Sequence, residues 1–158
     1  MASKSSIPTT DPIEIDQILN ANHPNPFGFL GLHSRKDGKG FVARLFRPGA
    51  DSAVLVSDAG EETKMDQIHR EGFFEALFPE ASESFGYTLS VKYPDHSTGN
   101  VRDPYSFGTV LGDADLHYFA EGNHRNLWNC LGARVTSPGG IDGVNFSVWA
   151  PNAHRVSV

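Results

Sequence analysis

The chain has 158 residues, of which 39% are hydrophobic and 20% charged, so it can bury a sizeable core and is not disordered throughout. Its 13 Lys and Arg against 19 Asp and Glu give a formal charge of −6, which leaves no basic face for phosphates and excludes nucleic acid as a partner. The single cysteine, Cys130, cannot form an internal disulfide, and residues 1–22 lack the apolar core of a signal peptide or membrane anchor. These features predict a cytoplasmic protein with no membrane partner.

The first predicted element is a short helix that follows a polar tail, and the two together occupy residues 1–22. Asp11 supplies an N-cap, Pro12 suits the first turn, and Glu14 lies three residues after the cap. This pattern predicts a helix from about Pro12 to Asn20. Its apolar residues have the spacing of one helix face, which must pack against a larger surface; they are Ile15, Ile18 and Leu19.

From Gly40 onward the pattern changes to short apolar runs separated by turn residues. The predicted strands are Phe41–Arg47, Ala53–Ser57, Thr63–His69, Gly72–Phe78, Phe85–Tyr93 and Gly99–Arg102. Their spacing of about ten residues is typical of a β-sandwich. The alternation of Tyr87, Leu89 and Val91 with polar residues indicates a strand with one buried face. We therefore predict an all-β fold, with a first sandwich at residues 23–107.

A linker is predicted next, at residues 108–123. Leu116, Tyr118 and Phe119 lie at near-helical spacing, without the alternation of a strand. They predict a short helical turn within Ala114–Gly122 that docks by its apolar side.

The sequence contains an internal repeat that begins at His23 and returns about a hundred residues later at His124. The first copy reads His-Pro-Asn-Pro-Phe-Gly-Phe-Leu-Gly, and the second reads His-Arg-Asn-Leu-Trp-Asn-Cys-Leu-Gly. Further on, Phe41–Ala50 aligns with Val144–Ala153, and Val54–Val56 aligns with Val156–Val158. The repeat predicts that residues 124–158 are the truncated start of a second β-sandwich, with an unpaired strand edge.

Several short motifs point to a known family. They are His23–Leu32, Asp103–Phe107, Leu111-Gly112, Asp115-Leu116, Glu121-Gly122, Leu131–Ala133, Gly143-Val144, Val148–Ala153 and Val156–Val158. With them, nearly the whole chain after Asp11 resembles the start of bacterial glycogen branching enzymes. The resemblance implies two successive immunoglobulin-like sandwiches, the second a carbohydrate-binding module of family 48, ahead of a catalytic (β/α)₈ barrel. It implies that the barrel cleaves an α-1,4-glucan and transfers the freed chain to a 6-hydroxyl, using a carboxylate nucleophile and a carboxylic acid.

No position of this chain inherits those catalytic roles, so we predict no catalytic residue and no cofactor here. The resemblance implies a non-catalytic region that supports the orientation of the barrel, glucan binding and the length of the transferred chain. Its partners would be α-glucan, as glycogen or maltooligosaccharides, and the barrel. The alternative is a purely structural or interface module that binds no sugar. A free-standing enzyme lacks any visible constellation of acid, base and nucleophile.

Aromatic side chains are the candidate sugar contacts, because the apolar face of a glucose ring stacks on an aromatic ring. The candidates are Trp128, Trp149, Tyr93 and Tyr105, with Tyr118 as a further possibility. Trp149 lies in an alternating strand near Phe146 and Val148, which favours packing, whereas Trp128 follows a polar loop. Exposure of these rings separates the sugar-binding hypothesis from the structural one.

Polar residues give a weaker signal. No metal site is predicted, because the seven histidines are scattered over different elements without the ligand spacing of a zinc site. Asp113 and Asp115 are interpreted as solvated carboxylates at a helix start. Asp103, which precedes a proline, is predicted to accept backbone N–H bonds at a turn.

Overall fold

The structure is a computed structural model that describes residues 10–157. The chain divides into two compact units between Ser106 and Phe107, which are termed unit 1 and unit 2 and are described separately. The strands pair in antiparallel sheets, and the prediction of an all-β fold with a short N-terminal helix is confirmed. Among the residues described, neither α-helix has the length and hydrophobicity needed to cross a membrane.

Unit 1 consists of one helix and a set of short strands. Helix α1 is Pro12–Leu19, and the strands are β1 Gly31–Ser34, β2 Phe41–Phe46, β3 Ser52–Ser57, β4 Glu62–Lys64, β5 Asp66–His69, β6 Phe73–Phe78, β7 Tyr87–Lys92 and β8 Thr98–Arg102. Asp11 caps α1 by accepting a hydrogen bond from the N–H of Ile13 at 2.9 Å. The predicted helix is therefore confirmed, as are five of the six predicted strands, with ends that shift by two residues at most.

The strands form two four-stranded sheets that face each other. Sheet I has the order β1-β2-β6-β5 and sheet II has the order β4-β3-β7-β8. Both sheets send alternate side chains into a shared core, which contains Ala43, Leu45, Phe74 and Ala76 from sheet I and Ala53, Leu55, Tyr87, Leu89 and Val91 from sheet II. The alternation in β7 is confirmed, because Tyr87, Leu89 and Val91 are buried while Lys92 is exposed.

The predicted strand Thr63–His69 is wrong as a single element. The structure divides it into β4, which pairs with β3 in sheet II, and β5, which pairs with β6 in sheet I. Met65 lies between them, is buried in the core, and donates its N–H to the carbonyl of Ala53 at 3.0 Å. The chain crosses from one sheet to the other at this residue, a change that apolar patterning alone does not reveal.

Helix α1 covers the outer face of sheet I. Ile15 and Ile18 are buried against Phe29, Leu30 and Phe73, which confirms the predicted docking of the apolar face. Beside them lies a buried polar group in which Arg44 forms an ion pair with Glu75 (3.4 Å) and donates a hydrogen bond to Thr10 Oγ1 (2.6 Å). Thr10 in turn donates to Glu75. Since this group joins the segment before α1 to both β2 and β6, it fixes the helix on the sheet.

Unit 2 contains helix α2 (Asp113–Ala120) and the strands β9 (Gly132–Thr136) and β10 (Gly143–Ser147), which form an antiparallel pair. The predicted helical turn is confirmed by α2. Strands β1 and β9 were not predicted from the sequence. The alignment of Val156–Val158 with residues of β3 suggests a strand there, but none is formed at Val156 and Ser157, and Val158 lies outside the described residues.

The internal repeat is confirmed and is longer than the sequence revealed. Residues 11–34 correspond to residues 112–135 without insertion or deletion, so α2 is the counterpart of α1. After α1, the chain reverses at Ala21 (φ 52°), and after α2 it reverses at Gly122 (φ 71°). The next residues, Asn22 and Asn123, donate their N–H groups to the carbonyls of Gln17 and Tyr118, which again are counterparts.

The two strand pairs of the repeat also share one register. Gly31 is paired with Arg44 in β1–β2, and their counterparts Gly132 and Ser147 are paired in β9–β10. Both glycines have positive φ, 94° and 91°. Each is preceded by a short 3-10 helix, Pro26–Gly28 in unit 1 and Leu127–Asn129 in unit 2.

Candidate functional site

Two of the predicted sugar contacts lie in unit 1, and both are half-buried. Tyr93 packs against the core between the sheets, and Tyr105 packs against the cluster under α1. The Tyr105 ring also meets Phe27 edge to face, with centroids 5.0 Å apart. Burial, and then the charge of Asp103, raises the pKa of Tyr105. These contacts indicate packing roles for both rings.

Asp103 is buried and holds the end of unit 1 together. Its carboxylate accepts hydrogen bonds from the N–H of Tyr105 (3.0 Å) and from the hydroxyl of Tyr87 (2.5 Å). Burial, followed by the charge of Asp103, raises the pKa of Tyr87. The predicted role of Asp103 at a turn is therefore confirmed, and its contact with a core tyrosine is an addition that the sequence did not indicate.

The two tryptophans lie in unit 2 and are both exposed. Trp128 is 67% exposed, on the 3-10 helix Leu127–Asn129, and Trp149 is 63% exposed. The Trp149 ring meets Phe119 of α2 edge to face, with centroids 4.8 Å apart. The counterparts of Trp149 and Phe119, which are Phe46 and Ile18, belong to one cluster in unit 1. Trp149 thus occupies a packing position, whereas Trp128 offers an open ring.

A polar cluster that sequence reasoning missed lies between α2 and the turn that follows it. His124 Nε2 is 2.8 Å from Asp115 Oδ1 and 3.8 Å from Cys130 Sγ. Cys130 is a buried free cysteine. All three potential ligand atoms lie within 4.8 Å of one another. No signal in the sequence pointed to this cluster, because these spacings match no metal-binding motif.

Hydrogen bonding defines what this cluster can do. The N–H of Asn126 donates to His124 Nδ1 at 3.2 Å, so the neutral ring carries its proton on Nε2 and donates it to Asp115. A metal ion at Nε2 would have to displace that proton and disrupt the Asn126 bond. A catalytic relay is also excluded, because it requires the carboxylate and the nucleophile on opposite ring nitrogens, whereas Asp115 and Cys130 share Nε2.

The repeat supports a structural role for this histidine. His23 in unit 1 accepts a hydrogen bond from the N–H of Asn25 at 3.1 Å through the same nitrogen. Phe29, the counterpart of Cys130, stacks on His23 with centroids 4.9 Å apart. The hydrogen bond of His124, and then contacts with Cys130 and the Gly112 N–H, lower the pKa of Asp115. Burial and the neighbouring Asp115 raise the pKa of Cys130, so this thiol is poorly nucleophilic at neutral pH.

A cavity of about 420 Å³ opens beside this histidine and is termed the amide pocket. Most of the residues that line it have polar side chains, which are Asp115, Tyr118, Asn123, His124, Arg125, Asn126 and Asn129. Tyr118 is 50% exposed, and its ring meets His124 edge to face with centroids 6.3 Å apart. The pocket therefore combines an accessible aromatic ring with several amide groups, which is the chemistry that recognises sugars.

Comparison with known proteins identifies relatives over most of the chain. Residues 11–105 match the family described as alpha-1,4-glucan branching enzyme GlgB, N-terminal domain. Three similar proteins carry the name 1,4-alpha-glucan branching enzyme GlgB. That of Pseudomonas fluorescens Pf-5 is 46% identical over 91% of this chain and 19% of its own length. Those of Myxococcus xanthus and Rhodospirillum rubrum are both 40% identical, over 92% and 89% of this chain and 19% and 20% of their own lengths.

The chain spans about a fifth of the length of these curated relatives. The family match covers unit 1 from the N-cap of α1 to Tyr105, which includes both sheets and the buried Asp103. The chain therefore belongs to the GlgB N-terminal domain family.

Proposed function

We propose that the chain is the non-catalytic region of an enzyme that forms α-1,6 branches in an α-glucan, and that unit 2 holds glucan for a catalytic barrel. Family membership supports the parent activity, since the relatives are named as branching enzymes. The observation that carries glucan binding is the open ring of Trp128. A cytoplasmic location belongs to the same proposal, and fractionation of the producing cells tests it.

The turn that carries Trp128 is held in place, which favours a binding role over an incidental exposed ring. The Asn126–His124 hydrogen bond fixes its start, and Arg134 of β9 donates a hydrogen bond to the carbonyl of Trp128. A ring on a fixed turn loses little conformational entropy on binding, so stacking on a sugar contributes more to affinity. Unit 2 would thus raise the local concentration of glucan and influence the length of the transferred chain.

Titration of the 158-residue chain with maltoheptaose tests this proposal. We expect saturable NMR shifts of the Trp128 indole N–H at millimolar sugar, because weak carbohydrate contacts of this kind bind in that range. The variant Trp128→Phe, which restores the residue type found at Phe27, should retain much of the affinity, whereas Trp128→Ala should lose it. Absence of any saturable shift up to millimolar maltoheptaose would overturn the glucan-binding role.

A structural or interface role is the second candidate, and one observation favours it. The strand pair β9–β10 and the residue after it expose apolar side chains, which are Val135, Val144, Phe146 and Val148. Exposed apolar surface of this kind marks protein contacts more often than sugar contacts. If these side chains serve packing alone, Val144→Ser and Phe146→Ser will raise the solubility of the chain. Maltoheptaose will then produce no saturable NMR shift in any variant.

A further inference from the structure

We propose that the amide pocket of unit 2 is an α-glucan subsite in which Tyr118 stacks on a glucose ring and Asn123 and Asn129 bind its hydroxyl groups. The inference rests on the proposed function, since it assigns a second contact point to the same ligand. It concerns a place distinct from the Trp128 ring. Tyr118 was a further candidate sugar contact in the sequence, whereas Asn123 and Asn129 are assigned no role by the sequence motifs or by family membership.

Comparison with unit 1 shows which residues of the amide pocket are shared by the two units and which differ. His124 and Asn126 are identical to their counterparts His23 and Asn25, and both histidines accept the same backbone hydrogen bond. These two shared residues maintain the backbone. Asn123 is also shared, with Asn22 as its counterpart, whereas Tyr118 replaces Gln17 and Asn129 replaces Gly28.

The change from Phe29 to Cys130 opens space at this point. Phe29 is buried and lies flat on His23, with 21° between the ring planes. A cysteine is much smaller than a phenylalanine, and Cys130 Sγ lies 3.8 Å from His124 Nε2 without covering the face of the ring as Phe29 does in unit 1. The side of the histidine that an aromatic ring covers in unit 1 therefore borders the cavity in unit 2.

The polar groups of the pocket suit an uncharged polyhydroxylated ligand. Asn123 donates one hydrogen bond to Glu121 at 2.8 Å, which leaves further donor and acceptor capacity on its amide. Asn123 and Asn129 are both exposed and carry no charge, so contact with a hydroxyl group does not desolvate an ion. The volume of about 420 Å³ falls in the range of small-ligand sites.

A metal ion is the competing occupant, because Asp115, His124 and Cys130 converge at the edge of the same pocket. The Asn126 N–H fixes His124 with its proton on Nε2, the nitrogen that would have to bind the metal. An ion would therefore break a hydrogen bond that the repeat preserves in both units. The amide groups and the exposed ring, in contrast, need no rearrangement to meet a sugar.

Maltoheptaose titration of the ¹⁵N-labelled 158-residue chain tests the subsite. We expect shifts at the amides of Asn123 and Asn129, and a rise of about tenfold in the dissociation constant for Tyr118→Ala. Tyr118→Phe should bind like the unsubstituted chain, because stacking needs the ring and not the hydroxyl. Asn129→Gly, which installs the residue of unit 1, should weaken binding less than Tyr118→Ala does. Gln17→Ala, at the matching position of α1, is the control and should change nothing.

Each alternative outcome identifies which statement fails. If the unsubstituted chain binds maltoheptaose and Tyr118→Ala binds equally well, the subsite is wrong while the proposed function stands. If neither the unsubstituted chain nor any variant binds sugar, the proposed function fails as well. If Zn²⁺ at micromolar concentration shifts the His124 and Cys130 signals and maltoheptaose shifts nothing near them, the pocket is a metal site and the inference is overturned. Comparison of the ¹⁵N spectra of all variants before titration establishes that each is folded.

Discussion

The strand pairs β1–β2 and β9–β10 are the same structure in two different surroundings. They share a register, a glycine of positive φ at the first position and a 3-10 helix before it. In unit 1, Leu45 and Ala43 of β2 are buried under sheet II. Their counterparts, Phe146 of β10 and Val148 just after it, are more than half exposed. The same apolar face is therefore covered in one unit and bare in the other.

The comparison separates what specifies a strand pair from what stabilises it. The glycine, the register and the turn are set locally, and they recur in both units. Burial of the apolar face depends on residues far along the chain, since sheet II is built from β3, β4, β7 and β8. An isolated two-stranded ribbon is marginally stable in water. Unit 2 should consequently be the less stable of the two, and four experiments can test or break that contrast.

The largest contrast is expected for the core residue Leu45 and its counterpart. Leu45→Ala removes a buried side chain and leaves a cavity between the sheets, so the free energy of unfolding of unit 1 should fall by about 2–5 kcal/mol. Val148→Ala removes a side chain that is already 63% exposed and should change stability by less than about 0.5 kcal/mol. Urea denaturation followed by NMR amide signals of each unit measures both. Equal costs would show that the β10 face is buried in solution.

The Arg44 ion pair under α1 should show the next largest effect. Arg44→Ser installs the residue found at the counterpart position, Ser147, and removes the cation that pairs with Glu75 and lies over the Phe29 ring. Removing the arginine leaves the charge of the buried Glu75 carboxylate poorly compensated. We therefore expect the free energy of unfolding of unit 1 to fall by about 3 kcal/mol.

The control for this prediction replaces both charges. Arg44→Met combined with Glu75→Leu should cost less than Arg44→Ser alone, because no uncompensated charge remains. Hydrogen exchange of the α1 amides gives a second readout, since the Thr10 contact holds the segment before the helix. If α1 exchanges at the same rate in all variants, the buried polar group does not fix the helix.

The two glycines of positive φ allow a narrower comparison. An alanine at either site adopts an unfavourable backbone conformation, which costs about 1–2 kcal/mol in both units. At Gly31 the new Cβ would also lie 3.1 Å from Tyr105 Cβ, whereas at Gly132 nothing lies within 4 Å. We therefore expect Gly31→Ala to cost about 1 kcal/mol more than Gly132→Ala. Equal losses would mean that Tyr105 moves freely.

The sequence was sufficient for the elements with strong local signals. The Asp11 cap and the alternation in β7 predicted α1 and a buried strand, and His23 and His124 marked the repeat. The helices of the repeat were not recognised as counterparts, because Pro12–Leu19 and Asp113–Ala120 share no identical residue at corresponding positions. Strands β1 and β9 are four and five residues long and begin at a glycine, so they lack a usable alternation.

The site was less predictable than the fold, because its residues meet through the tertiary structure. Asp115 lies on α2 and His124 on the following turn, and only the docking of the two brings their side chains to 2.8 Å. The exposure of Trp149 was also not deducible. The strand expected around it ends at Ser147, and the ring of Trp149 contacts Phe119 while most of it stays accessible.

The smallest expected effect concerns pH and the buried Tyr87. Its raised pKa means that the neutral hydroxyl is the form that the folded state favours, through burial and the bond to Asp103. The stabilisation is complete below the ordinary tyrosine pKa of 10.0 and is lost as the pH rises above it, because only the unfolded chain then releases this proton. Unit 1 should lose about 1 kcal/mol between pH 10 and pH 11. Denaturation of unit 1 at these two values measures the loss, and Tyr87→Phe should remove the part due to this residue.

A stability of unit 1 that is flat from pH 9 to pH 11 would show that Tyr87 ionises as readily in the folded chain as in the unfolded one. Unit 2, whose described residues contain the exposed Tyr118 and no counterpart of Tyr87, should not show this dependence.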